Sequence, residues 1–99
     1  MASSKEYLTF VLDQLSGLNG ISYRGMMGEY ILYFRDKVAG GIYDDRLLVK
    51  PVPAAVALMP GAPRERPYEG GREMLLVERV DDRAFLSSLL EAMFPELPS

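Results

Sequence analysis

The spacing of apolar positions changes character three times along the chain. Leu8, Val11, Leu12 and Leu15 recur at helical intervals on one face, and Ser3 followed by Glu6 has capping-box spacing ahead of them. The pattern predicts a first helix over residues 4–16, closed by Gly17 in a left-handed cap with Leu18 folded back onto the last turn. From residue 21 the period shortens. β-Branched and aromatic residues broken by short polar turns predict four strands, over 21–24, 30–34, 38–43 and 46–50. Arg35-Asp36-Lys37 and Asp44-Asp45 are the expected hairpin connections, and links this short impose antiparallel pairing. Gly25, Gly28 and the Gly40-Gly41 pair fall at or inside these strands, where glycine marks a bulge or a close backbone approach, so a bent sheet is expected.

After the meander, Pro53 suits the first position of a short helix running to Met59, and Pro60-Gly61 ends it. Residues 62–71 carry turn formers and charges without an apolar period and read as a surface loop. Residues 73–78 are a fifth strand, apolar on both faces at its centre and therefore internal or covered. Asp81 is the expected cap of a last helix, with Val80 and Phe85 as a hydrophobic staple and Leu86, Leu89, Leu90 and Met93 as the buried stripe, stopped by Pro95 and Pro98. The order α-β-β-β-β-α-β-α predicts an α+β, two-layer domain: an antiparallel sheet of about five strands with helices on one face.

Composition narrows the chemistry more than the fold. With 99 residues there is room for one domain, residues 1–99, and 14 acidic against 11 basic side chains leave a net charge of −3. The sequence has no Cys and no His. That excludes a thiol nucleophile, an imidazole base, a thiolate or imidazole zinc site and a disulfide framework. No apolar run reaches the length of a membrane span, and Met1-Ala2-Ser3-Ser4-Lys5-Glu6 lacks the basic and apolar regions of a secretory signal, so a cytoplasmic protein without membrane partners is expected.

One segment carries a family signature. In Tyr23-Arg24-Gly25-Met26-Met27-Gly28-Glu29-Tyr30, Arg24, Met26, Gly28 and Tyr30 keep the spacing of a motif of the TfoX/Sxy family, with Met27 where Phe is usual. Asp36-Lys37, Asp45-Arg46-Leu47 and the later Pro67-Tyr68-Glu69-Gly70 follow in order, so the chain resembles the N-terminal domain of that family of bacterial competence regulators over residues 5–94. The resemblance implies a fold like that of type III secretion chaperones and a regulatory role exerted through protein contacts. The family's full-length competence regulators add a helical C-terminal domain, and this sequence ends where that domain would begin.

Read for chemistry, Arg24 beside a glycine-bent strand has the planar fork that holds a carboxylate or phosphate; the plainer reading pairs it with Glu29 or a loop acid to fix the bend. Met26 and Met27 form either an adaptable contact surface or gap-filling core, with one of the two expected to be buried. Tyr30, Leu32 and Phe34 point to one face of the sheet and Ile31 and Tyr33 to the other, a pattern repeated more weakly by Ile42 and Tyr43. A helix-free face carrying aromatics is a protein interface, unless the Pro-rich loop and long charged stems shield it. The candidate contact residues are therefore Tyr23, Arg24, Met26, Met27, Tyr30, Ile31, Tyr33 and Tyr43, serving a homodimer or another protein partner. Direct nucleic-acid binding is disfavoured by the net charge of −3, although tyrosines on a sheet face suit base stacking. Asp44-Asp45 and Asp81-Asp82 are the only adjacent acid pairs, both at turns or caps, and no phosphate-cradling loop is present. No catalytic residue, cofactor or metal site is assigned. A small-molecule or nucleic-acid binder remains the alternative, and an enzyme the last.

Overall fold

The computed structural model describes residues 3–98. Helix α1 spans Lys5–Gln14 and is capped by Ser4, whose hydroxyl accepts a hydrogen bond from the Tyr7 N–H at 3.1 Å. The capping-box spacing places that cap one residue too early, because Ser3 is buried and engaged elsewhere. At the other end Gly17 does not take the left-handed conformation; the N–H groups of Leu15 and Leu18 close the last turns, and Gly20, at φ 94°, makes the reversal.

Four strands follow: β1 (Ile21–Met26), β2 (Glu29–Phe34), β3 (Lys37–Ile42) and β4 (Leu47–Val49). Each consecutive pair is joined by a two-residue turn whose central residues have positive φ: Met27 and Gly28, Arg35 and Asp36, Asp44 and Asp45. Turns of this kind match the right-handed twist of the flanking strands. The first of them extends β1 past the expected end at Arg24, since pairing runs on to Met26 opposite Glu29. Helix α2 (Pro53–Leu58), strand β5 (Arg64–Glu65), strand β6 (Met74–Leu76) and helix α3 (Arg83–Met93) complete the chain before a 3-10 turn at Phe94–Glu96.

The six strands form one antiparallel sheet in the order β1-β2-β3-β4-β6-β5. The expected α+β class is observed, with one strand more than expected. That strand is β5, inside the stretch expected to be loop. Two residues are too few to show a period; β5 forms because Arg64 and Glu65 find the open edge of β6 at Leu75 and Met74.

All the helices serve one face. Leu32, Gly40, Val49 and Leu75 lie in one cross-strand row, and the core formed around that row takes Leu8, Val11 and Leu15 from α1, Ala55 from α2, and Leu86, Leu89, Leu90 and Met93 from α3. Asp82, not Asp81, caps α3, accepting from the Phe85 N–H at 3.0 Å. That bond, reinforced by Arg79, holds its carboxyl below the usual range.

A register shift between Leu32 and Tyr33 bends the sheet beside the glycine pair. A Cβ on Gly40 would lie 2.1 Å from the Leu48 carbonyl oxygen and 2.8 Å from Val49 Cα. Both obstacles are backbone, so Gly40→Ala forces β3 and β4 apart and is expected to cost at least about 2 kcal/mol in urea unfolding. Gly17→Ala, where a Cβ meets nothing within 4 Å, is expected to be neutral or mildly stabilising in the same measurement.

Candidate functional site

The helix-free face of the sheet is divided into two unlike halves. Across it runs the row Arg24, Ile31, Gly41 and Leu48, on successive strands. Leu48 is fully buried although it lies outside the helix-covered core. Its register partner Gly41 lies beneath a ring of the same chain. Absence of a side chain at Gly41 lets the Tyr43 ring lie over the strand, where a Cβ would meet ring carbons at 2.6 and 2.7 Å. The Tyr68 ring then packs edge-on against Tyr43 with centroids 6.4 Å apart.

Tyr68 belongs to a loop tied to itself. The Gly71 N–H donates to the Tyr68 carbonyl at 3.0 Å, and Arg66 Nη1 donates to the Gly71 carbonyl at 3.3 Å. Tyr43 beneath is 9 % exposed, whereas Tyr68 is 61 % exposed. Burial pushes the Tyr43 phenol above its ordinary value, and the neighbouring Tyr68 and Glu29 add to the effect. Between this loop and β3 lies an open cleft of about 610 Å³, walled by Val38, Tyr43, Val52, Pro67, Tyr68 and Met74. Lys50 and Arg72 also line it.

The β1–β2 half has no such cover. Arg24 and Met26 are exposed on it, Met27 at the turn is 97 % exposed, and Ile31 and Tyr33 are half-buried; Tyr23, opposite Leu32, lies on the other face and is 49 % exposed. A polar knot fixes this half in place. Glu29 Oε2 accepts from the Ser3 hydroxyl at 3.2 Å and from the Asp44 N–H at 2.8 Å; the Ser3 oxygen accepts from the Asp45 N–H at 3.1 Å, and Asp45 Oδ1 from the Ser4 N–H at 2.8 Å. The start of α1 is thereby bound to two hairpin turns at once.

This arrangement sorts the residues singled out from the sequence. Tyr23, Arg24, Met26 and Met27 stand together on the β1 hairpin, so neither methionine is buried and the expected division between them does not occur. Arg24 does not pair with Glu29, whose carboxylate is taken by Ser3 and Asp44. Tyr30 turns to the helix-bearing face, packs against the core and meets Tyr23 edge-on at 5.9 Å. Tyr43 is separated from the hairpin and buried beneath Tyr68. The loop expected to shield the helix-free face covers one half of it and leaves the other half bare. Sequence reasoning passed over Tyr68, Lys50 and Arg72 as a group. The available signal was a tyrosine between Pro67 and Gly70-Gly71, a ring on a constrained loop.

The chain is 32 % identical over 84 residues to the "Uncharacterized 12.7 kDa protein in trpE 5'region" of Spirochaeta aurantia, a match that covers 85 % of this chain and 73 % of that protein. It belongs to the same family as that protein. No family model matches the chain, and no solved structure matches it.

The cover over Tyr43 sets a pH dependence. A phenol raised in the folded state keeps its full contribution to stability below the unfolded value of 10.0 and loses it as pH climbs through the folded value. Tyr68→Ala admits water to the ring and removes a neighbouring charge. The Tyr43 phenol is then expected to titrate nearer its ordinary value, read by NMR, and the alkaline loss of stability to shrink.

Proposed function

We propose that this member of the Spirochaeta aurantia protein's family is a non-enzymatic interaction and regulatory module of the cytoplasm, acting by pairing its β1 edge with another protein chain, and that a second copy of itself is the partner that edge fits. The carrying observation is the inequality of the two sheet edges. β5 has two residues and is flanked by Pro63 and Pro67, devices that blunt an edge. β1 has six residues, no proline and no lysine, and is exposed from Ser22 to Met26.

Its backbone supports the reading. The two-residue turn makes Met26 and Glu29 a hydrogen-bonded pair, and the Arg35 N–H donates to the Gly20 carbonyl at 2.9 Å in the same alternation. That alternation leaves the N–H and C=O groups of Ile21, Tyr23 and Gly25 directed away from β2. An antiparallel second copy centred on Tyr23 uses all of them, and sets Arg24 opposite the second copy's Ser22 so that no like charges meet. The resemblance to TfoX/Sxy N-terminal domains supports a regulatory role for such contacts. A net charge of −3 weighs against nucleic acid as the partner.

Sedimentation equilibrium tests this reading. The wild-type chain is expected to sediment as a dimer, and Tyr23→Pro, which removes an outward N–H and the ring contact with Tyr30 but no bond to β2, to weaken association by at least about tenfold with the thermal transition largely retained. Ser22→Pro, which removes an inward N–H, is expected to lower the transition temperature instead. A wild-type chain monomeric at its highest soluble concentration would overturn self-pairing.

A further inference from the structure

The cleft between the Pro67–Gly71 loop and β3 is separate from the β1 edge and carries an inference of its own. The geometry points to a binding site for a small organic anion built on a flat ring. Its volume of about 610 Å³ falls in the range of small-molecule sites. Its apolar walls come from Val38, Val52 and Pro67, and two tyrosine rings meet there edge-on. The Tyr43 ring is held rigidly over Gly41, while the Tyr68 ring stays accessible. A flat ring that enters finds one fixed and one adjustable aromatic surface.

Charge selects within that class. Five of the eleven lysines and arginines pair with a carboxylate or an aromatic ring: Arg35 with Glu91, Arg46 with Glu65, Arg79 with Asp82, Arg83 with Asp13, and Lys37 over the Phe94 ring. Lys50 and Arg72 both line the cleft, and neither side chain makes an ion pair or hydrogen bond among the described residues. Unpaired cations are ordinary on an open surface. Two at the rim of one aromatic-walled cleft, in a chain of net charge −3, are a local reversal of sign. Glu73 is the one carboxylate among the lining residues, so two cations and one anion leave a net charge of +1 for the guest.

Lys50 stands on the sheet and Arg72 at the end of the covering loop. Lys50 follows β4 directly, and its N–H donates to the Ala39 carbonyl at 2.9 Å. Arg72 follows the tied Gly71. The sheet wall of the site, with Tyr43 and Lys50, is therefore formed before a guest arrives, which reduces the ordering cost of binding.

Three probes separate its parts by NMR titration: phenyl phosphate, with ring and anion; inorganic phosphate, with the anion alone; and benzyl alcohol, with the ring alone. Phenyl phosphate is expected to shift the Tyr43, Tyr68, Lys50 and Arg72 resonances and to bind at least about tenfold more tightly than either of the others. Lys50→Gln and Arg72→Gln are each expected to weaken it by about threefold or more, and Tyr68→Leu to abolish its advantage over inorganic phosphate. These side chains lie at the surface, and the dispersion of each variant's spectrum verifies its fold. Absence of shifts at millimolar phenyl phosphate, equal binding of inorganic phosphate, or undiminished binding by the Lys50→Gln/Arg72→Gln double variant would each overturn the assignment.

Discussion

A sheet has two faces, and the helices of this chain cover one. That constraint organises the rest of the molecule. The helices bury the row through Leu32, Val49 and Leu75, so residues that alternate with that row must find cover elsewhere or meet water. Leu48 is such a residue. Full burial of a leucine side chain is worth about 1.5–3 kcal/mol, enough to favour a covering element made from short loop sequence. Beside Leu48, at its register partner Gly41, the chain lays Tyr43 over the strand and Tyr68 against Tyr43. The cover stops there, and the half of the face on β1 and β2 stays open.

The turns explain why the open half is nevertheless held rigidly. Five non-glycine residues, Met27, Arg35, Asp36, Asp44 and Asp45, occupy the left-handed region at costs of about 1–2 kcal/mol each. A backbone under such local strain persists only where its surroundings over-determine it. For Asp44 and Asp45 those surroundings are Glu29, Ser3 and Ser4, whose bonds link the β3–β4 turn, the root of the β1 hairpin and the cap of α1. Two exposed elements far apart in sequence thereby behave as one structural unit. The exposed Met27 tip projects from a fixed base.

What could be read in the sequence follows the same division between periodic and local determinants. The helix-bearing face was legible because its signal repeats: Leu8, Val11 and Leu15 on a helical period, Tyr30, Leu32 and Phe34 on a strand period. Elements set by a single contact were not. β5 depends on the open edge of β6, and the choice of Asp82 over Asp81 depends on which carboxylate reaches the Phe85 N–H. The Ser3–Glu6 spacing misled for a related reason, since Ser3 is drawn into the knot around Glu29. On the candidate surface, alternation identified which strand residues face away from the helices. It had no means of telling which of them a loop some twenty-five residues later in the chain would cover.

The loop that covers Tyr43 also bears on the edges of the sheet. Its proline, Pro67, stands two residues after the short β5 and helps close that edge, while Tyr68, the next residue, roofs the helix-free face. One short segment thus protects the edge at one end of the sheet and fills half of the face that the helices leave bare. The other edge receives neither service. The segment itself rests on the sheet through a ring contact and is otherwise held by bonds internal to it, at Gly71 with Tyr68 and Arg66. With few buried apolar contacts, such a loop opens at lower free energy than the strands beneath it. The closed edge and the cleft consequently share a movable part, and the open edge at β1 shares a rigid one with α1. The two surfaces differ in stiffness because one is anchored by a polar knot and the other by a single aromatic contact.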